Sequence, residues 1–110
     1  MRGIVPALLA PVAWQAAGLP AWFPAGVATA RQVVLLLLDG LGWEQLQARA
    51  AIAPTLAAMP GSAITTVAPS TTASALTSIT TGLTPGEHGL VGYRMELAGE
   101  VLNVLRWHGD

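Results

Sequence analysis

Two kinds of oxygen in this chain stand where they could do chemistry. One is the carboxylate of Asp39, which follows six apolar residues in "VVLLLLDG", Val33 to Gly40. The other is a hydroxyl of "PSTT", Pro69 to Thr72, in a stretch with twelve Ser or Thr between Ser62 and Thr84. Most hydroxyls in such a stretch cap a helix or bond back to its turns. One in the first turn of a helix also faces free backbone N–H groups and the positive end of the dipole, which favour an alkoxide and phosphoryl oxygens beside it. Such a hydroxyl still needs activation, and no histidine is close in sequence. A metal ion is the natural agent, because coordination lowers the pKa of an oxygen. A metal needs a carboxylate ligand, and Asp39 can supply one. Ser70, Thr71 and Thr72 are adjacent, so nearness alone does not choose the reactive one. For Asp39 the plain alternative is a turn former or a helix cap before "WEQLQARA", Trp43 to Ala50.

The elements that must position these groups can be read from pattern. Six β-branched or leucine residues without alternation suit a strand covered on both faces, as in a parallel sheet. The run is too short, and too soon followed by Gly40 and Gly42, for a buried helix. Asp39 is then expected at the carboxyl end of a central parallel strand, where open α/β sheets form binding crevices. Residues 43–50 read as an amphipathic helix, with Glu44 in its first turn. Pro54 opens a second short helix, which Pro60-Gly61 ends. "SAITTVA", 62–68, is expected as a second parallel strand. A helix follows, with Ser70 or Thr71 as cap, Ala73, Leu76 and Ile79 on one face, and Gly82 as its stop. After the turn "TPGEHG", the tail "YRMELAGEVLNVLRW" reads as a β-hairpin turning near Ala98-Gly99.

Composition narrows the function classes. The 110 residues are 53% hydrophobic and 10% charged, far more apolar than an average soluble domain. A core of this size cannot hide so much apolar surface, so the chain reads as the inner part of something larger or as an aggregation-prone fragment. Its basic residues are five scattered arginines, which form no stripe for a phosphate backbone, and nucleic-acid binding is not expected. The absence of cysteine excludes disulfides and thiol nucleophiles. The absence of lysine excludes a Walker A loop and Schiff-base chemistry. Near the start, Arg2 and "ATA" raise a secretory signal, but Pro6, Pro11, Pro20 and Pro24 interrupt the apolar stretch. The preferred reading is a short helix near 7–17 with a proline-rich connection, no transmembrane segment, and a cytoplasmic location with secretion as the alternative.

Three stretches together, "VVLLLLDGLGWE", "APSTTASALTSITTGLTPGEHGLVGY" and "VLNVLRW", resemble the N-terminal part of the type I phosphodiesterase/nucleotide pyrophosphatase family of the alkaline phosphatase superfamily. The resemblance runs from about Val33 to Trp107. Its sharpest piece is Thr-Gly-x-x-Pro-x-x-His-Gly, Thr81 to Gly89, after a Pro-x-x-Thr. It implies an α/β fold with a mainly parallel central sheet flanked by helices, of which this chain is the N-terminal portion. The expected organisation is one partial domain over 1–110: a helix and proline-rich lead-in to 32, a strand-helix-strand-helix half-site over 33–90, and a truncated β-hairpin over 91–110. It also implies a hydrolase of phosphodiester or pyrophosphate bonds in small-molecule phosphoesters, with two divalent metals, usually zinc.

By the same resemblance the nucleophile is the threonine three residues after the proline, which from Pro69 is Thr72. Thr72 also touches metal, and the Asp of the first strand, here Asp39, binds one ion. Nucleotide pyrophosphatases of the family carry an Asn three residues after the nucleophile. This chain has Ala75 there, which leaves the substrate class open. His88 matches a histidine that is not a metal ligand and is expected to bond backbone in its turn. The family's remaining ligands lie well beyond position 110, and one carboxylate with one hydroxyl falls short of the roughly six ligands of a two-metal site. The isolated chain is therefore expected to be inactive. Alternatives are another superfamily member, such as a phosphonate hydrolase, a phosphomutase or a sulfatase-like enzyme, and a non-catalytic fragment. Oligomeric state cannot be read from the residues.

Overall fold

A computed structural model describes residues 3–9, 22–106 and 108–109. In chain order its elements are α1 (Ile4–Leu9), a 3-10 turn (Ala25–Thr29), α2 (Trp43–Ala48), α3 (Pro54–Ala57), α4 (Thr72–Thr81), α5 (Pro85–His88), β1 (Arg94–Leu97), β2 (Glu100–Asn103) and β3 (His108–Gly109). The chain divides into two compact units, one of Met1–Gly18 with Thr65–Asp110 and one of Leu19–Ile64.

The first unit is built on α4. Thr71 is its cap, with extended backbone and a side chain that accepts from Ser74 N–H. Helix-compatible Ala, Leu and Ile carry it forward. It stops at Gly82, whose φ of +78° lies in the left-handed region that other residues enter only at a cost, and whose N–H bonds the Ser78 carbonyl at 3.0 Å. Ala73, Ser74, Ser78 and Ile79 are the buried residues of the helix. Helix α1 packs against it and buries Ala7. Helix α5 is set by Pro85 at its first position and by a capping box, in which Glu87 Oε2 accepts from Thr84 N–H and O–H, both at 2.7 Å.

The same unit holds an antiparallel sheet of order β1-β2-β3. In the β1–β2 hairpin Arg94 pairs with Asn103 and Leu97 with Glu100, so Ala98-Gly99 form a two-residue loop. Both loop residues have positive φ, 55° and 87°, the pattern of a type I′ turn. On the other side of β2, Asn103 pairs with His108. Beyond the ladder, Val104 N–H bonds the Tyr93 carbonyl at 2.8 Å and the Val104 side chain is buried.

The second unit contains α2, with Glu44 in its first turn, and α3, opened by Pro54. None of its described residues is buried. Residues 33–38 form neither helix nor ladder and all six are exposed, Val34 at 91% and Leu36 at 66%. Here the structure differs from the sequence reading. The two buried strands expected at 33–38 and 62–68 are not formed among the described residues, and the sheet that is present is antiparallel rather than mainly parallel. A strand exists only through its partners, and no described segment pairs with either run. The helix expected near 7–17 begins earlier, at Ile4, and residues 10–17 lie outside the described ones. No helix among the described residues is long and apolar enough to cross a membrane.

Candidate active site

Asp39 and Gly40 are the central residues of a turn closed by Leu41 N–H on the Leu38 carbonyl at 3.3 Å. Gly40 has a φ of +77°, as the third residue of a type II turn requires. Helix α2 starts later, at Trp43, and its cap is Gly42 with no side-chain bond. Asp39 is therefore a turn residue and not a helix cap. Its carboxylate is exposed, in the second unit.

Ser70, Thr71 and Thr72 stand together at the head of α4, in the first unit. The helix start separates their roles. Thr71 Oγ1 accepts from Ser74 N–H at 3.4 Å and has two acceptors for its one proton, Ser74 Oγ at 3.0 Å and the Val91 carbonyl at 3.1 Å. Thr72 is the first helical residue and is half-buried. Ala75 sits one turn on and its N–H bonds the Thr71 carbonyl at 2.9 Å.

Two hydroxyls deeper in the helix were not singled out from sequence. Ser74 and Ser78, one turn apart, are both 0% exposed. Ser74 Oγ donates to the Leu90 carbonyl at 2.8 Å, and Ser78 Oγ meets His88 Nε2 at 3.0 Å. With Thr71 they form a stripe that ties α4 to residues 88–91. The signal available in sequence is the spacing of two small hydroxyl residues among Ala73 and Ile79 on an otherwise apolar face. Further on, Thr80 and Thr81 bond back to the Leu76 and Thr77 carbonyls, as mid-helix hydroxyls commonly do.

His88 bonds backbone in its turn, as expected: Leu90 N–H donates to His88 Nδ1 at 3.0 Å. That ring nitrogen must carry a lone pair, so in the neutral ring the proton is on Nε2, which donates to Ser78 Oγ. A base that activates a serine needs the reverse, with Nε2 accepting from the hydroxyl. Ser78 and His88 are thus a structural pair despite their resemblance to a catalytic dyad.

Among the described residues no three His, Asp or Glu side chains come together as a metal group. Asp39 and Thr72 by themselves do not fit a two-metal centre, which takes three or four protein donors per ion.

The geometry of residues 69–89 is that of a motif whose parts each have a function in folding. Thr81-Gly82 ends one helix, Thr84-Pro85 starts the next, and His88-Gly89 docks it. A family model, type I phosphodiesterase / nucleotide pyrophosphatase, matches residues 33–108, more than half of the chain. The chain belongs to this family. Comparison with curated proteins and with solved structures found no match. Membership in the type I phosphodiesterase/nucleotide pyrophosphatase family carries an alkaline-phosphatase-like α/β fold and places the chain among hydrolases of phosphodiester and pyrophosphate bonds. The match begins with the run that leads to Asp39 and takes in both the hydroxyl helix and the His88 turn.

Proposed function

We propose that this phosphodiesterase-family chain carries the nucleophile-bearing part of a hydrolase acting on small-molecule phosphodiesters or pyrophosphates, with Thr72 Oγ1 as the attacking atom. What carries the reading is the division of labour at the head of α4. Thr71 serves as the cap and bonds the Val91 carbonyl, and Thr72, three residues after Pro69 as the resemblance implies for the nucleophile, opens the helix. In the reaction Thr72 Oγ1 gives up its proton and bonds phosphorus in line with the leaving oxygen. The bond from phosphorus to that oxygen breaks, and the leaving group takes a proton. Water then cleaves the phosphothreonine and restores the hydroxyl. The first-turn N–H groups of α4 favour the negative oxygens throughout.

Asp39 is proposed as one metal ligand and Thr72 as the group that meets the metal. Two divalent ions, zinc by family resemblance, belong to the proposal only with further donors, since these two residues do not complete the set. The mainly parallel sheet is proposed for the form in which 33–38 has strand partners. A second reading rests on the exposed run at 33–38: a non-catalytic chain that binds a partner through it.

The first test is the nucleotide sequence past codon 110. An open frame with Asp and His motifs supports the enzyme, and a stop supports the second reading. In a protein extended by that frame, acid trapping of the phospho-enzyme followed by mass spectrometry should find phosphate on Thr72. Thr72→Ala should lose several orders of magnitude in turnover and Thr72→Ser should keep part of it. Phosphate on Ser70 or Thr71 overturns the assignment.

A further inference from the structure

We infer that His88 is a proton-sensitive latch, which in its neutral form holds residues 88–91 against α4 and through them fixes the first turn of that helix. Both ring nitrogens are engaged: Nδ1 accepts from Leu90 N–H at 3.0 Å, and Nε2 meets the Oγ of the fully buried Ser78 at 3.0 Å. A second ring proton can go only on Nδ1. It would face the Leu90 N–H, donor against donor, and the bond to Leu90 is lost while the one to Ser78 survives.

Leu90 and Val91 are the residues whose carbonyls take the Ser74 and Thr71 hydroxyls. Displacing them releases the helix cap one residue before Thr72. Helices α4 and α1 contain no titratable side chain. On α5 itself Glu87 is engaged by Thr84. After the turn, Tyr93 lies under the Arg94 guanidinium, 5.7 Å from the ring centroid. The latch operates whether or not Thr72 attacks phosphorus.

The test is nitrogen-15 NMR of the labelled 110-residue chain, with magic-angle spinning for the ring nitrogens if the chain is poorly soluble. His88 and His108 are the two histidines, and the ring signal missing from His88→Asn identifies His88. In its neutral form the ring should show a bare Nδ1 and a protonated Nε2. As His88 takes a second proton, exchange protection of the Leu90 and Ser74 amides should fall about tenfold relative to Thr80 in the same helix, the loss of about one hydrogen bond. His88→Asn keeps an acceptor near the Nδ1 position without a titrating group, so its Leu90 protection should not change with pH. His88→Gln keeps a donor within reach of Ser78 but removes that acceptor, and Leu90 should exchange fast at every pH. A protonated Nδ1 in the neutral ring, or Leu90 protection that stays constant through the His88 titration, overturns the latch.

Discussion

Thr71 and Thr72 are the same residue one position apart, and the start of α4 gives them different work. Thr71 has the extended backbone of a cap and spends its hydroxyl on Ser74 and Val91. Thr71→Ala should therefore cost about 1 kcal/mol, read as faster amide exchange in the first turn of α4. Ser74→Ala should cost more, about 1–3 kcal/mol, because it leaves the part-buried Leu90 carbonyl without its donor. Amide exchange through α4 should then rise about tenfold to a hundredfold, and a rise no larger than that of Thr71→Ala counts against the stripe. The cap was legible in sequence because its partner is three residues away in the same helix. The roles of Ser74 and Ser78 were not, since their partners lie 16 and 10 residues further along and are set by the path of the chain through α5. Asp39 was legible as a turn residue from the glycine that follows it. The metal role proposed for it rests on the family resemblance and needs donors that the described residues do not provide.

Among elements, those that close on themselves were readable and those that need distant partners were not. Helix α4 has its cap, apolar face and glycine stop within a dozen residues. The stretch "TPGEHG", expected as a turn, instead forms the single helical turn α5, set by Pro85 and the Thr84–Glu87 capping box. The β1–β2 hairpin turns at Ala98-Gly99, where a glycine between two strand-like runs marked it. Residues 33–38 have the composition of a covered parallel strand, but composition cannot provide the strands on either side. The hairpin offers a direct test. Ala98 is the one residue other than glycine with positive φ among the described residues, at 55°. An L-residue with a Cβ pays about 1 kcal/mol there, and Asn pays less. Ala98→Asn creates the Asn-Gly pair favoured in type I′ turns and should stabilise the hairpin by up to about 1 kcal/mol, seen as slower exchange of the Met95 and Leu102 amides, which face each other as a hydrogen-bonded pair of the ladder. Faster exchange would mean that the turn is of another type.

At the scale of the whole molecule, apolar content and buried core are out of proportion. Hydrophobic residues are 53% of the chain, yet among the described residues the buried apolar ones are Ala7, Ala73, Ile79, Pro85 and Val104, all in the first unit. Six consecutive apolar side chains at 33–38 stay in water, which costs about 25 cal/mol for every Å² that a partner surface could cover. Surface of that kind marks either an interaction site or an aggregation liability. The isolated chain should therefore self-associate, and the run at 33–38 should be where it does so. Val34 and Leu36 are its most exposed members, so Val34→Lys with Leu36→Glu removes the most accessible apolar area and adds no net charge. Sedimentation velocity should show the wild-type chain as oligomers or aggregate and the double variant shifted toward monomer. A wild-type chain that sediments as a monomer with a sharp, cooperative thermal transition would mean that its apolar surface finds cover within a single copy. A double variant that aggregates as readily as the wild type would place the sticky surface elsewhere.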